Sequence, residues 1–67
     1  MKLSYNKLWK LLIDKGMNKK TLSQKADVSN TTIAKLGKGE NVNTSVLVKI
    51  CETLECNISD IVEMVSD

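Results

Sequence analysis

Residues 18–39, NKKTLSQKADVSNTTIAKLGKG, bring together side chains that can address nucleobase edges and lysines that can neutralise phosphate. Asn30 has the donor and acceptor to grip adenine N6 and N7, and Lys35 can donate to guanine O6 or N7. The methyl groups of Thr31 and Thr32 can meet a thymine methyl. Around them, Asn18, Lys19, Lys20, Lys38 and Asn41 are placed to reach phosphate oxygens. Gln24 is open to either a phosphate or plain solvation. The chain has no arginine, so the bidentate arginine–guanine contact is not available to it. Lys19 and Lys20 pose a local conflict, because they fall in the first turn of an expected helix. Positive charge there opposes the helix dipole by about 0.3–1 kcal/mol per residue. A phosphate at that end would relieve the conflict by pairing with the lysines and with the unpaired backbone N–H groups.

Other chemistry finds little material. The 67 residues include no histidine, no glycine-rich loop of P-loop spacing, and no serine or cysteine with an evident base. The carboxylates gather in the C-terminal half on faces expected to be solvated. Catalysis is therefore not expected. Cys51 and Cys56 without histidine fall short of a four-ligand zinc site, and a single pair in a reducing compartment stays reduced. They read as small packing hydrophobes. No metal, cofactor or small-molecule ligand is indicated.

Charge divides the chain. Residues 1–39 hold nine lysines against Asp14 and Asp27, a balance of +7; residues 40–67 hold Lys49 against Glu40, Glu52, Glu55, Asp60, Glu63 and Asp67, a balance of −5. The overall charge of +2 hides this division, which offers a polyanion one basic side and turns an acidic side away. No apolar run approaches the roughly 18 residues of a membrane span, and Met1-Lys2-Leu3 is too short for a signal peptide. A cytoplasmic location is expected.

The elements that must hold these residues read as helices of one domain over residues 1–67. A first helix is expected over Tyr5 to Lys15, capped by Ser4 and ended by Gly16, with Tyr5, Leu8, Trp9 and Leu12 on its inner side. Leu11 and Ile13 widen that apolar stripe beyond one face. Asn18 caps a second helix over Lys19 to Ala26, with Leu22 and Ala26 inward. Asp27-Val28-Ser29 makes a corner whose one apolar side chain is Val28, and Ser29 caps a third helix over Asn30 to Lys38. Ile33 and Leu36 point inward from it, leaving Asn30, Thr31, Ala34 and Lys35 outward. Gly37 should weaken its last turn by up to about 1 kcal/mol relative to alanine. After a loop at Glu40-Asn41-Val42, Asn43 caps a fourth helix over Thr44 to Leu54. Asn57 caps an expected fifth, with Asp60 in its first turn and Ile58, Ile61, Val62, Met64 and Val65 as its apolar positions. No strand is expected beyond an extended Met1–Leu3. A capped helix, an apolar-centred corner and a capped helix with a polar outer face is the layout of a DNA-binding helix-turn-helix.

At these residues, most clearly LSQKADVSNTTIAKLGKGE and VLVKICETLECNISDI, the chain resembles the helix-turn-helix domain of phage Cro and repressor proteins and of xenobiotic-response-element-type bacterial regulators. The resemblance runs from Tyr5 to Val65. It implies an all-α, five-helix, phage-repressor-like domain that acts as a sequence-specific transcriptional regulator of double-stranded DNA, a repressor in its usual role, reading the major groove with helix three. In the family a glutamate near Gly37 commonly pairs with a helix-one arginine; here Gly37 and Leu12 occupy those places, so an apolar contact is expected instead. A homodimer is implied as well, because one recognition helix covers too few base pairs for a unique site. Ile61, Met64 and Val65 are its expected interface, with Trp9 and the surplus of helix one as the competing surface. The alternative is a protein-interaction module on the same scaffold, an antitoxin or anti-repressor working through the C-terminal apolar helix. Membrane partners are not expected.

Overall fold

The computed structural model describes residues 1–66. In chain order it contains strand β1 (Lys2–Ser4), helices α1 (Asn6–Asp14), α2 (Lys19–Ala26), α3 (Asn30–Gly37) and α4 (Thr44–Leu54), a single 3-10 turn (Ile58–Asp60) and strand β2 (Glu63–Val65). The four α-helices fall where the apolar spacing puts them, to within a residue or two at their ends. Gly16 (φ 67°) and Gly39 (φ 75°) take the left-handed conformation that closes α1 and α3. The cap of α1 is shifted from the expected one: Tyr5 is the N-cap residue, while Ser4 Oγ accepts the Asn6 N–H at 3.3 Å from the end of β1. At α4 the cap position is Asn43, as expected, but its side chain makes no capping hydrogen bond.

The core is aliphatic except for Tyr5. Leu8 and Leu12 of α1, Leu22 and Ala26 of α2, Ile33 and Leu36 of α3, and Leu47, Ile50 and Leu54 of α4 are all buried in one cluster. Val28 joins them from the corner between α2 and α3. Ile13, part of the wide stripe on α1, is 75% exposed. Cys51 and Cys56 are free thiols packed partly against this cluster. Burial first, then the neighbouring Cys51 thiol, pushes the Cys56 thiol up from its ordinary pKa. Burial likewise raises the pKa of Tyr5.

The expected fifth helix does not form. Asn57 and Asp60 do build a capping box, with the Asn57 N–H donating to Asp60 Oδ2 at 3.0 Å, but it starts only one 3-10 turn. The chain then extends as β2 and pairs antiparallel with β1, Lys2 opposite Val65, Leu3 opposite Met64 and Ser4 opposite Glu63. Two physical reasons favour this. The segment is rich in β-branched residues, which lose side-chain freedom in a helix. It also lies beside β1, whose backbone N–H and C=O groups can pair in a ladder with an extended neighbour but not with a helix, whose own groups are already paired. The fold is therefore a four-helix domain tied at its termini by a two-stranded sheet, not an all-helical five-helix one. The surface assigned to helix five changes with it: Ile61 is 0% exposed and belongs to the core, Met64 is 56% exposed and Val65 is half-buried. Asp67, counted with the acidic C-terminal residues, lies outside the described residues.

The corner between α2 and α3 is held from inside. Asp27 sits in the left-handed region (φ 56°), and the N–H groups of Asp27 and Val28 both donate to the Ser23 carbonyl. Ser23, itself buried, donates its hydroxyl to the Val28 carbonyl at 2.5 Å. Removing that hydroxyl strands a buried acceptor, which costs about 1–3 kcal/mol. Ser23→Ala should lower folding stability by that amount, seen as a lower urea midpoint at unchanged slope; a drop below about 0.5 kcal/mol would show that the hydroxyl does not hold the corner.

Candidate nucleic-acid interface

Two capped helix starts and one corner present the candidate side chains. Asn18 Oδ1 accepts the Thr21 N–H at 2.8 Å, and Ser29 Oγ accepts the Thr32 N–H at 3.2 Å, so both caps are made by the residues expected to make them. Each satisfies a backbone donor that helix geometry leaves unpaired, worth about 1 kcal/mol. With its inner side fixed by Ile33 and Leu36, α3 turns Asn30, Thr31, Ala34 and Lys35 out to solvent. Thr32 differs. It is half-buried, and its hydroxyl shares a 2.9 Å hydrogen bond with Ser29 Oγ. Its oxygen is therefore committed to the cap, and only its methyl group is free for the role assigned to it.

The structure brings Thr32 and Lys35 of α3 to one groove with Asn41, Val42 and Asn43 of the following loop and Val46 of α4. Lys20 and Gln24 on α2 and Lys38 at the end of α3 are exposed. Asn18 is exposed too, with its carbonyl used in capping and its amide N–H groups left to donate.

Lys19 is exposed as well, and it has a neighbour that the sequence does not suggest. Its ammonium lies 4.6 Å from the centroid of the Trp9 ring, within the range of a cation–π contact. It also lies 3.2 Å from where a Cβ on Gly37 would sit. Gly37 is helical, as expected, and its missing side chain makes room for this lysine. The gap left by the absent glutamate is thus filled by Lys19 from α2, not by an apolar contact from Leu12, which is buried in the core. Nothing in sequence spacing pairs Trp9 with Lys19, since they sit on different helices. Ser23 is a buried corner position that its polar type conceals, although its place beside Leu22 and three before Ala26 puts it on the inner side of α2.

Residues 7–67 match the Cro/C1-type HTH DNA-binding domain. The chain belongs to this family. This Cro/C1-type domain is also similar to a solved structure, the crystal structure of the transcriptional regulator VanUg in its form II. The two share 53% sequence identity and a TM-score of 0.94, over 98% of this chain and 88% of that one. No curated protein matches the chain. Among the described residues no helix is long and apolar enough to cross a membrane.

The arrangement at Gly37 can be weighed. Alanine in a helical site without strain gains about 0.4–1 kcal/mol over glycine. Here the added methyl would meet the Lys19 ammonium at 3.2 Å, so that flexible end must give by a few tenths of an ångström, at the expense of part of a contact worth about 0.5–1 kcal/mol at an exposed site. Gly37→Ala in this Cro/C1-type domain should therefore raise stability by less than the full gain of about 0.4–1 kcal/mol in a denaturant titration. The full helical gain would mean that the shift costs the lysine–tryptophan contact nothing.

Proposed function

We propose that this Cro/C1-type domain is a transcriptional regulator that binds a specific sequence of double-stranded DNA, with α2 and α3 as its helix-turn-helix. The observation that carries this reading is the outer face of α3: Asn30, Thr31, Ala34 and Lys35 are exposed together on a helix whose start and inner side are fixed. A rigid helix of this width enters the major groove, where base edges are distinguishable. Asn30 then reads adenine, Lys35 guanine, and the methyl groups of Thr31 and Thr32 thymine. Lys20, Lys38, Asn18 and Asn41 flank that face and meet phosphates, which set register and not sequence. The excess of lysine in the first 39 residues supplies the long-range attraction. Similarity to the regulator VanUg supports a role in transcription. Occupying a promoter site would exclude other proteins from it, and repression is the action we assign.

Binding-site selection from a random duplex pool tests this directly. Asn30→Ala and Lys35→Ala should each cost about 1–3 kcal/mol on the selected site and much less on random DNA. Lys20→Ala and Lys38→Ala should weaken all duplexes alike and reduce the slope of log K against log salt by about one for each phosphate left unpaired. Selection of one consensus by wild type and both α3 variants would remove those residues as base readers.

A homodimer is part of the proposal, because one α3 covers too little sequence for a unique site and duplex half-sites repeat about 34 Å apart. With Ile61 in the core, the apolar side chains that the C-terminal segment leaves for this contact are the exposed Ile58 and Met64, with Val65 half-buried on β2. The alternative, a protein-interaction module, relies on a C-terminal apolar helix, and that segment is a 3-10 turn and a strand. Sedimentation of wild type and Met64→Glu, free and on the selected duplex, should show a wild-type dimer that the variant weakens. A wild type still monomeric on DNA would sink the dimer.

A further inference from the structure

Lys19 is the first residue of α2, where a positive charge faces the positive end of the helix dipole. A phosphate would relieve that conflict, but the side chain already has another solution. It carries its ammonium away from α2, to 4.6 Å above the Trp9 ring of α1. There it also reaches the last residue of α3, 3.2 Å from the Cβ position of Gly37. Both neighbours attract a cation: the face of an indole ring carries negative charge density, and so does the C-terminal end of a helix. One side chain thus joins the middle of α1, the start of α2 and the end of α3. Any side chain at position 37 would contend for the same space. Both Lys19 and Lys20 are exposed, but Lys20 projects about 100° further round the helix, away from this contact.

We propose that Lys19 is not a phosphate ligand but a positioning residue, clasped between Trp9 and the Gly37 end of α3, and that it fixes the start of α2 for the phosphate contact made by Lys20. This rests on the reading of α2 and α3 as the DNA-binding pair. The clasp sets the angle of α2 against both neighbours, so its loss weakens binding without removing a charge from the DNA contact. A phosphate ligand behaves differently, because its loss also reduces the number of counterions released.

The test has one arm without DNA and one with it. In the full chain, the ε-methylene protons of Lys19 should resonate upfield of those of the other nine lysines, shielded by the Trp9 ring. Lys19→Met, which keeps most of the stem and removes the charge, should lower affinity for a duplex several-fold at every salt concentration while leaving the salt slope at the wild-type value. Lys20→Met should reduce that slope by about one for each phosphate left unpaired. An unshifted Lys19 resonance overturns the clasp, and a slope reduced by about one in Lys19→Met overturns its exclusion from the phosphate contact. If wild type binds no duplex at all, the DNA reading fails and takes the positioning role with it, whereas the resonance still decides whether the clasp exists.

Discussion

The left-handed turn at Asp27 and the buried Ser23 hydroxyl beneath it set the relation between α2 and α3, and the outer face of α3 depends on that relation. A chain leaving α2 must bend sharply without stranding polar backbone in the core. Ser23 meets this need twice: its carbonyl receives the N–H groups of Asp27 and Val28, and its hydroxyl binds the Val28 carbonyl. Lys49 of α4 adds a 3.5 Å contact from its ammonium to the Asp27 carbonyl. Val28, 6% exposed, then anchors the corner in the core. Polar closure and apolar anchoring act on the same three residues, so α3 has little freedom to rotate its outer face.

That rigidity has to be maintained by a small core. A domain of this size buries a smaller fraction of its surface than a larger one and has little stability to spare. Pairing β1 with β2 ties the two ends of the chain and brings Ile61 into the cluster formed by the helices. The sheet does the closing work that a fifth helix would otherwise do, using the same C-terminal segment together with β1. It leaves Met64 exposed, so the C-terminal segment offers a smaller apolar surface than an amphipathic helix would.

The basic side is not uniform in what its lysines do. Lys19, Lys20, Lys35 and Lys38 are all exposed, but the ammonium of Lys19 lies over an aromatic ring, that of Trp9. Net charge alone treats these residues as equivalent. Their environments separate them, because an ammonium that already has an aromatic ring and a helix end as partners gains less by turning to a phosphate than one in open water.

Sequence alone determined the four α-helices, the Asn18 and Ser29 caps, the place of the corner and the outward residues of α3. Each follows from local rules: a 3.6-residue apolar repeat, a side-chain oxygen at a helix start, and a residue type able to turn the chain. The basic and acidic halves were legible in the same way. Tertiary structure decided what local rules cannot weigh. Ile58 to Val65 has an N-terminal capping box and enough apolar residues for a helix, yet β1 is near enough to offer a ladder of backbone hydrogen bonds, and the segment became a 3-10 turn followed by a three-residue strand. Ile61 moved into the core for the same reason. The Thr32 hydroxyl went to Ser29, Ser23 turned inward to Val28, and Lys19 crossed to Trp9 through the space at Gly37. The last two depend on which neighbours the folded chain places within reach, and the pairing of Trp9 with Lys19 joins residues that no helical period relates.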